Sequence, residues 1–373
     1  MRRTIIALVL AVMFGASAAA QAPGSDTVLE NFRAYRAAMA RNDLIGAEHA
    51  AVLALAASEA RDGDGGRTAV LAMNLALVRI QQGRVAEARE PAARALQLAE
   101  ASGARSGVDP LLARLTLGQA ELETDAAAGR ARLVAALAEA DARSDLNDST
   151  VDAASALGRW FFEHDQLDDA RAAYATVVTH SPGNDPLSTF IRARAETAEA
   201  AAWLKPGRLG HSSHRAEEGQ RLLADAVQLL GPLVAHENGQ GELTTLQRVY
   251  AQALAWRAFA HLLDPHVDYV DVPPMDPQKC MVQLNAPGND WEKYYPMMAA
   301  VRSQSGVVVV RTIIDADGGV TRMDVVAAAP NELFPTAAQR IFDEVQITRR
   351  ADALEGCTMA QLHFFALVFR ADH

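Results

Sequence analysis

The chain has 373 residues and is 50% hydrophobic, so it can bury a sizeable core and wholesale disorder is excluded. Its 46 acidic residues outnumber 35 basic ones, and the formal net charge of −11 disfavours a generic nucleic-acid binder. Two cysteines are too few for a disulfide scaffold or a four-cysteine zinc site.

Arg2 and Arg3 precede an unbroken apolar run from Ile5 to Phe14. Small residues follow to Ala20, and Ala18-Ala19-Ala20 fits an A-x-A cleavage pattern. This is the three-part form of a secretory signal peptide, with cleavage expected after Ala20. The alternative is an uncleaved anchor, for which the run is short of the roughly 20 residues a span needs. No other stretch is long or apolar enough to cross a bilayer, so the expected mature chain is exported and has no integral span.

Residues 26–265 are rich in Ala, Leu, Arg and Glu, all good helix formers, with apolar residues recurring at three and four. Gly and Pro clusters divide the stretch, as at Asp62-Gly63-Asp64-Gly65-Gly66 and Ser181-Pro182-Gly183-Asn184-Asp185-Pro186. A polar turn, an aliphatic residue and a small residue open successive helices at Ala47, Ala88 and Ala170, with a related start around Gly129. Those starts fit a period of 41 residues, the mark of a repeat. The period predicts helical hairpins at 27–41 with 43–60, 68–82 with 84–101, 109–123 with 126–141 and 149–164 with 167–179. Longer helices follow near 188–204, 215–236 and 243–263. Small residues at Gly118, Gly158, Ala88 and Ala170, Pro182 closing a hairpin, and the Gly83-Arg84-Val85-Ala86-Glu87-Ala88 phrase resemble the tetratricopeptide-repeat family. That resemblance implies stacked hairpins with a concave groove for extended partners.

Asp264-Pro265 stops the last helix, and the Pro-rich stretch at 272–277 makes residues 266–278 an expected linker. Beyond it the periodicity becomes that of strands. Val307 to Ile314 is a β-branched run broken only by Arg311, and Asp315-Ala316-Asp317-Gly318-Gly319 is a hairpin turn leading to a strand at 320–328. A short helix from Met297, a helix over 331–345, a strand over 361–370 and a further strand near 278–284 complete the expectation for residues 279–373. Tyr295-Pro296, Gly306, Asp317-Gly318 with Val320, Val325-Val326 and Phe334 together resemble the TonB C-terminal domain. The fold class is therefore an all-α, TPR-like array followed by a small α+β domain with an antiparallel sheet. The second resemblance implies a domain that binds an envelope protein by adding a strand at a sheet edge. Tyr295, Pro296, Gln361, His363 and Phe365 are its candidate partner-binding residues.

Cys280 and Cys357 fall in one small domain of an exported chain, so a disulfide is expected, with two buried free thiols as the alternative. No catalytic, cofactor or metal site is expected. Gly63-Asp64-Gly65-Gly66 lacks the Lys-Ser/Thr of a phosphate loop, and Asp315 and Asp317 read as turn formers. His211-Ser212-Ser213-His214 reads as a solvated loop, and Trp160-Phe161-Phe162 and Trp203 read as core. The leading expectation is a non-enzymatic periplasmic adaptor that binds extended segments of envelope proteins. The rivals are an inner-membrane-anchored energy transducer of the TonB type and an enzyme or ligand carrier with an interdomain pocket.

Overall fold

A computed structural model describes residues 27–143, 147–181, 185–205, 213–235, 242–264, 279–285, 292–301, 304–330 and 333–371. The expected signal peptide at 1–20, the expected linker at 266–278, Pro182 and His211 lie outside the described residues. Eleven helices lead: α1 (Thr27–Ala40), α2 (Leu44–Asp62), α3 (Gly66–Gln81), α4 (Arg89–Ser102), α5 (Pro110–Thr124), α6 (Ala126–Ala142), α7 (Asp148–Glu163), α8 (Leu167–His180), α9 (Pro186–Leu204), α10 (Ser213–Ala235) and α11 (Thr245–Leu263). The C-terminal part is β1 (Val282–Asn285), α12 (Met297–Val301), β2 (Gly306–Ile314), β3 (Val320–Ala329), α13 (Pro335–Phe342), β4 (Gln346–Arg349) and β5 (Gln361–Phe369). The residues form two compact units, one ending at Trp160 and the other beginning at Phe161.

In the first unit the helices start where side chains can satisfy their free N–H groups. Asp43 accepts from Gly46 N at 2.9 Å, Asp109 from Leu111 N at 2.9 Å ahead of Pro110, and Asp125 from Ala128 N at 3.3 Å. The seams between helices are lined by alanines without exposed surface, among them Ala69, Ala72, Ala76, Ala92, Ala95 and Ala99. Small side chains let the backbones approach, and Gly129 shows how closely. A Cβ there would lie 2.4 Å from Leu122 N and 2.9 Å from Gly118 O. α6 and α8 begin 41 positions apart, at Ala126 and Leu167, whereas α4, expected from residue 84, begins at Arg89 after a 3₁₀ turn at Ala86–Ala88, so the earlier starts depart from that period.

In the second unit, α9, α10 and α11 share one core with a face of the three-stranded sheet. The sheet order is β3-β2-β5, all antiparallel. Val307 and Val309 turn to that face with Phe364, whose ring meets the Tyr250 ring of α11 edge-on at 5.4 Å. Val308, Val310, Phe365, Leu367 and Phe369 turn to the opposite face, where Phe334, Ala338 and Ile341 of the α13 region cover them. Both faces are dry, which is why β2 reads as a continuous valine run instead of an alternating one. Gly306 opens β2 directly under Phe334, whose ring carbon would lie 2.3 Å from a Cβ.

Two C-terminal elements differ from the sequence expectation. The helix expected over 331–345 is α13, Pro335–Phe342, and Gln346–Arg349 is strand β4. Ile347 and Thr348 are β-branched, and burial of Ile347 at 6% exposure favours a pleated segment over another helical turn. β4 pairs with β1 in a separate two-stranded sheet, Leu284 opposite Ile347. Cys280 and Cys357 are joined by a disulfide spanning 77 positions, with Cα atoms 5.0 Å apart.

Candidate functional site: the open edge of the sheet

The order β3-β2-β5 leaves β3 and β5 as the two outer strands. They are unequal as templates. β3 shifts register against β2 between Val309 and Val310 and again between Ile313 and Ile314. Each shift is a bulge that interrupts the row of backbone groups on offer. β5 keeps one unbroken register with β2 over nine residues, from Gly306 opposite Phe369 to Ile314 opposite Gln361. It therefore presents a regular outer edge to which an extended segment can add.

The disulfide borders this edge at its start. Cys280 N donates to Thr358 O at 3.0 Å, and Gln361 Nε2 donates to Cys280 O at 2.9 Å. Residues 279–280 thus lie beside the segment leading into β5, with an isolated parallel bridge between Lys279 and Thr358. From Leu362 onward β5 has no further strand beside it among the described residues.

The five candidate partner-binding residues are spread along the domain and none of them is exposed. Phe365 is buried in the α13-side core and touches Phe342 at 5.7 Å between ring centroids. Gln361 is buried and spends its amide on Cys280 O. His363 is half-buried, its ring 4.4 Å from that of Phe365. Tyr295 is half-buried against Phe334 and Phe369, and its hydroxyl donates to Gln304 O. Pro296 is half-buried and accepts at its carbonyl from Ala299 N and Ala300 N, opening α12. What these side chains leave to a partner is the backbone of β5 and Val368, which is 45% exposed.

Sequence reasoning passed over the group that fixes the sheet on its helices. Arg311, with no exposed surface, sits mid-strand in β2 opposite Asp324 of β3. Its Nε donates to Asp324 Oδ2 at 3.0 Å, its Nη2 to the same oxygen, and its Nη1 to Gln247 Oε1 at 2.8 Å. Gln247 belongs to the capping box of α11, its N–H donating to Thr244 Oγ1 at 3.1 Å. Partial burial would raise the Asp324 carboxyl, but hydrogen bonds and charge from Arg311 and Arg322 outweigh it and hold the group below the usual range. The signal was the charge interrupting the β-branched run. A second ion pair ties the turn before α12 to the end of α13, where Lys293 Nζ and Tyr294 Oη both donate to Glu344, at 2.6 and 2.7 Å. Those bonds hold the Glu344 carboxyl low and the Lys293 ammonium high.

Asp315 shapes the β2–β3 turn by accepting from Asp317 N at 2.9 Å and Gly319 N at 2.7 Å. Trp203 packs under the guanidinium of Arg171, 4.0 Å from the ring centroid. Among the described residues no group of His, Cys, Asp or Glu side chains is placed to hold a metal ion. No described helix is long and apolar enough to cross a membrane.

Residues 292–352 match the family model described as Gram-negative bacterial TonB protein C-terminal. The match covers α12 to β4 and stops before β5. No curated protein matches the chain. Among solved structures the chain is similar to one titled "Crystal structure of MamA protein", at 19% identity and a TM-score of 0.39, over 59% of this chain and 100% of that one.

Proposed function

We propose that the protein is an exported, non-enzymatic adaptor of the bacterial cell envelope, which holds an extended segment of a partner protein along β5. The observation that carries this reading is the unbroken nine-residue register of the outer strand β5, where the opposite edge, β3, is interrupted by two bulges. A segment added there gains main-chain hydrogen bonds, and exposed Val368 offers it an apolar contact. The TonB C-terminal match supports an envelope partner. The hydrophobic run at residues 5–14, followed by small residues, supports export to the periplasm. The helical hairpins of residues 27–143 supply a second protein-binding surface in the same chain.

The test is photocrosslinking in living cells from a photoreactive residue at Val368, on β5, and at Thr321, on β3, followed by identification of the partner. The expected result is an envelope protein captured from Val368 and not from Thr321. Capture from neither strand, or a protein that stays in the cytoplasm, would overturn the proposal.

A further inference from the structure

Helix α2 is apolar on both sides. Its inner side buries Ala47, Ala50, Ala51 and Ala54. Its outer side carries Ile45, His49, Val52, Leu53, Ala56, Glu59 and Ala60, all exposed, and Glu59 is the only charge among them. Ile45 is 82% exposed, Val52 41% and Leu53 43%. Surface helices ordinarily turn a polar face to water, and helices apolar all round are found buried. Ile45, His49, Val52 and Ala56 recur at alternating steps of four and three, the spacing of a helix-pairing seam.

We propose that this stripe pairs with the same stripe of a second copy of the chain, α2 against α2, antiparallel about a two-fold axis beside Val52 and Leu53. The stripe is complementary to its own reversal. Val52 faces Leu53, His49 faces Ala56 and Ile45 faces Ala60, so the larger side chains at one end meet the alanines at the other. The charges agree as well. Glu59 comes opposite Gly46 in the first turn of the second helix, where the macrodipole favours an anion. Two-fold symmetry makes each contact twice. A parallel pairing would instead set Glu59 against Glu59. With α2 about 28 Å long at 1.5 Å per residue, the contact is one helix pair, so the dimer is concentration-dependent.

Sedimentation velocity of the full exported chain over a concentration series reads the association. The expected result is a reversible dimer, weakened at least about tenfold by Val52→Glu, which places a charge at the centre of the interface. The melting midpoint of that variant, taken at a dilution where both proteins are monomeric, should equal that of the parent. Orientation is read by mild oxidation, because both natural cysteines are already in a disulfide. The double variant Ile45→Cys with Ala60→Cys should crosslink into a dimer, and either single variant should not. A chain that is monomeric throughout, a dimer indifferent to Val52→Glu, or single-cysteine variants that crosslink as well as the double one would each overturn the proposal. So would a monomer that binds phosphatidylglycerol vesicles through this stripe.

Discussion

Removing the carboxylate of Asp324 tests how the sheet is held. Arg311 has no exposed side-chain surface, and its Nε and Nη2 both donate to Asp324 Oδ2. Asp324→Ala leaves that cation buried without its carboxylate, its Nη1 still donating to Gln247 Oε1 on α11. Breaking a buried pair from one side costs about 3–5 kcal/mol, because the surviving charge stays desolvated. For a unit of this size, that lowers the melting midpoint by roughly 10 °C. Replacing both members, Arg311→Met with Asp324→Leu, removes the charge along with its partner and should recover most of the loss. The assay is urea denaturation followed by tryptophan fluorescence, with Trp203 and Trp256 in the affected unit. A loss under about 1 kcal/mol for Asp324→Ala, or a double variant as unstable as the single, would refute the reasoning. The pH dependence has a definite sign. The folded carboxyl is held low, so its contribution is complete above the unfolded value of about 3.9 and is lost as pH falls through the folded value.

Three further outcomes follow from single sites. The Cys280–Cys357 bridge closes a loop spanning 77 positions, so Cys280→Ala should cost about 4.5 kcal/mol in the chain-entropy model; labelling of two thiols in the native, unreduced protein would contradict the bridge. Burial raises the Glu196 carboxyl despite its bond from Arg192, so the folded state holds its proton more tightly than the unfolded chain. The stability this adds is present below the unfolded value of about 4.3 and fades as pH rises through the folded one. Glu196→Gln should flatten that slope in pH-dependent denaturation, and an unchanged slope would contradict the assignment. Gly129→Val forces a side chain onto the backbone of α5 and should cost at least about 1–3 kcal/mol, with the loss confined to the transition of the unit ending at Trp160.

The helical hairpins were legible because their signals are local. Ala, Gly and Asp at helix starts act within a turn or two, and the expected 41-residue period appears between the starts of α6 and α8 but not between those of α2, α4 and α6, at Leu44, Arg89 and Ala126. β2, β3 and β5 were legible for the same reason, through the β-branched run of β2, the Asp315–Gly319 turn and the aromatic run of β5. What escaped depends on partners far along the chain. Arg311 looked like an interruption, and its meaning rests on Gln247, 64 positions away on a helix packed against the sheet. The change of texture near residue 270 marks where helices give way to strands, yet one core runs from α9 to the sheet. At the candidate site, Gln361, His363 and Phe365 were named as partner-binding residues of β5, but burial on both sheet faces left only the edge to a partner. The inequality of the edges comes from the bulges in β3, which strand periodicity does not reveal. The exposed stripe of α2 was equally hidden, since spacing shows that Ile45 and Val52 share a face, not that the face is left uncovered.

Hydrogen exchange of the β5 amides, with and without the partner segment captured in cells, tests the central claim most directly. New protection is expected at alternate amides between Leu362 and Phe369, the ones facing away from β2, with β3 unchanged. Protection confined to the helical hairpins or to β3, with β5 exchanging at the same rate in both states, would contradict it.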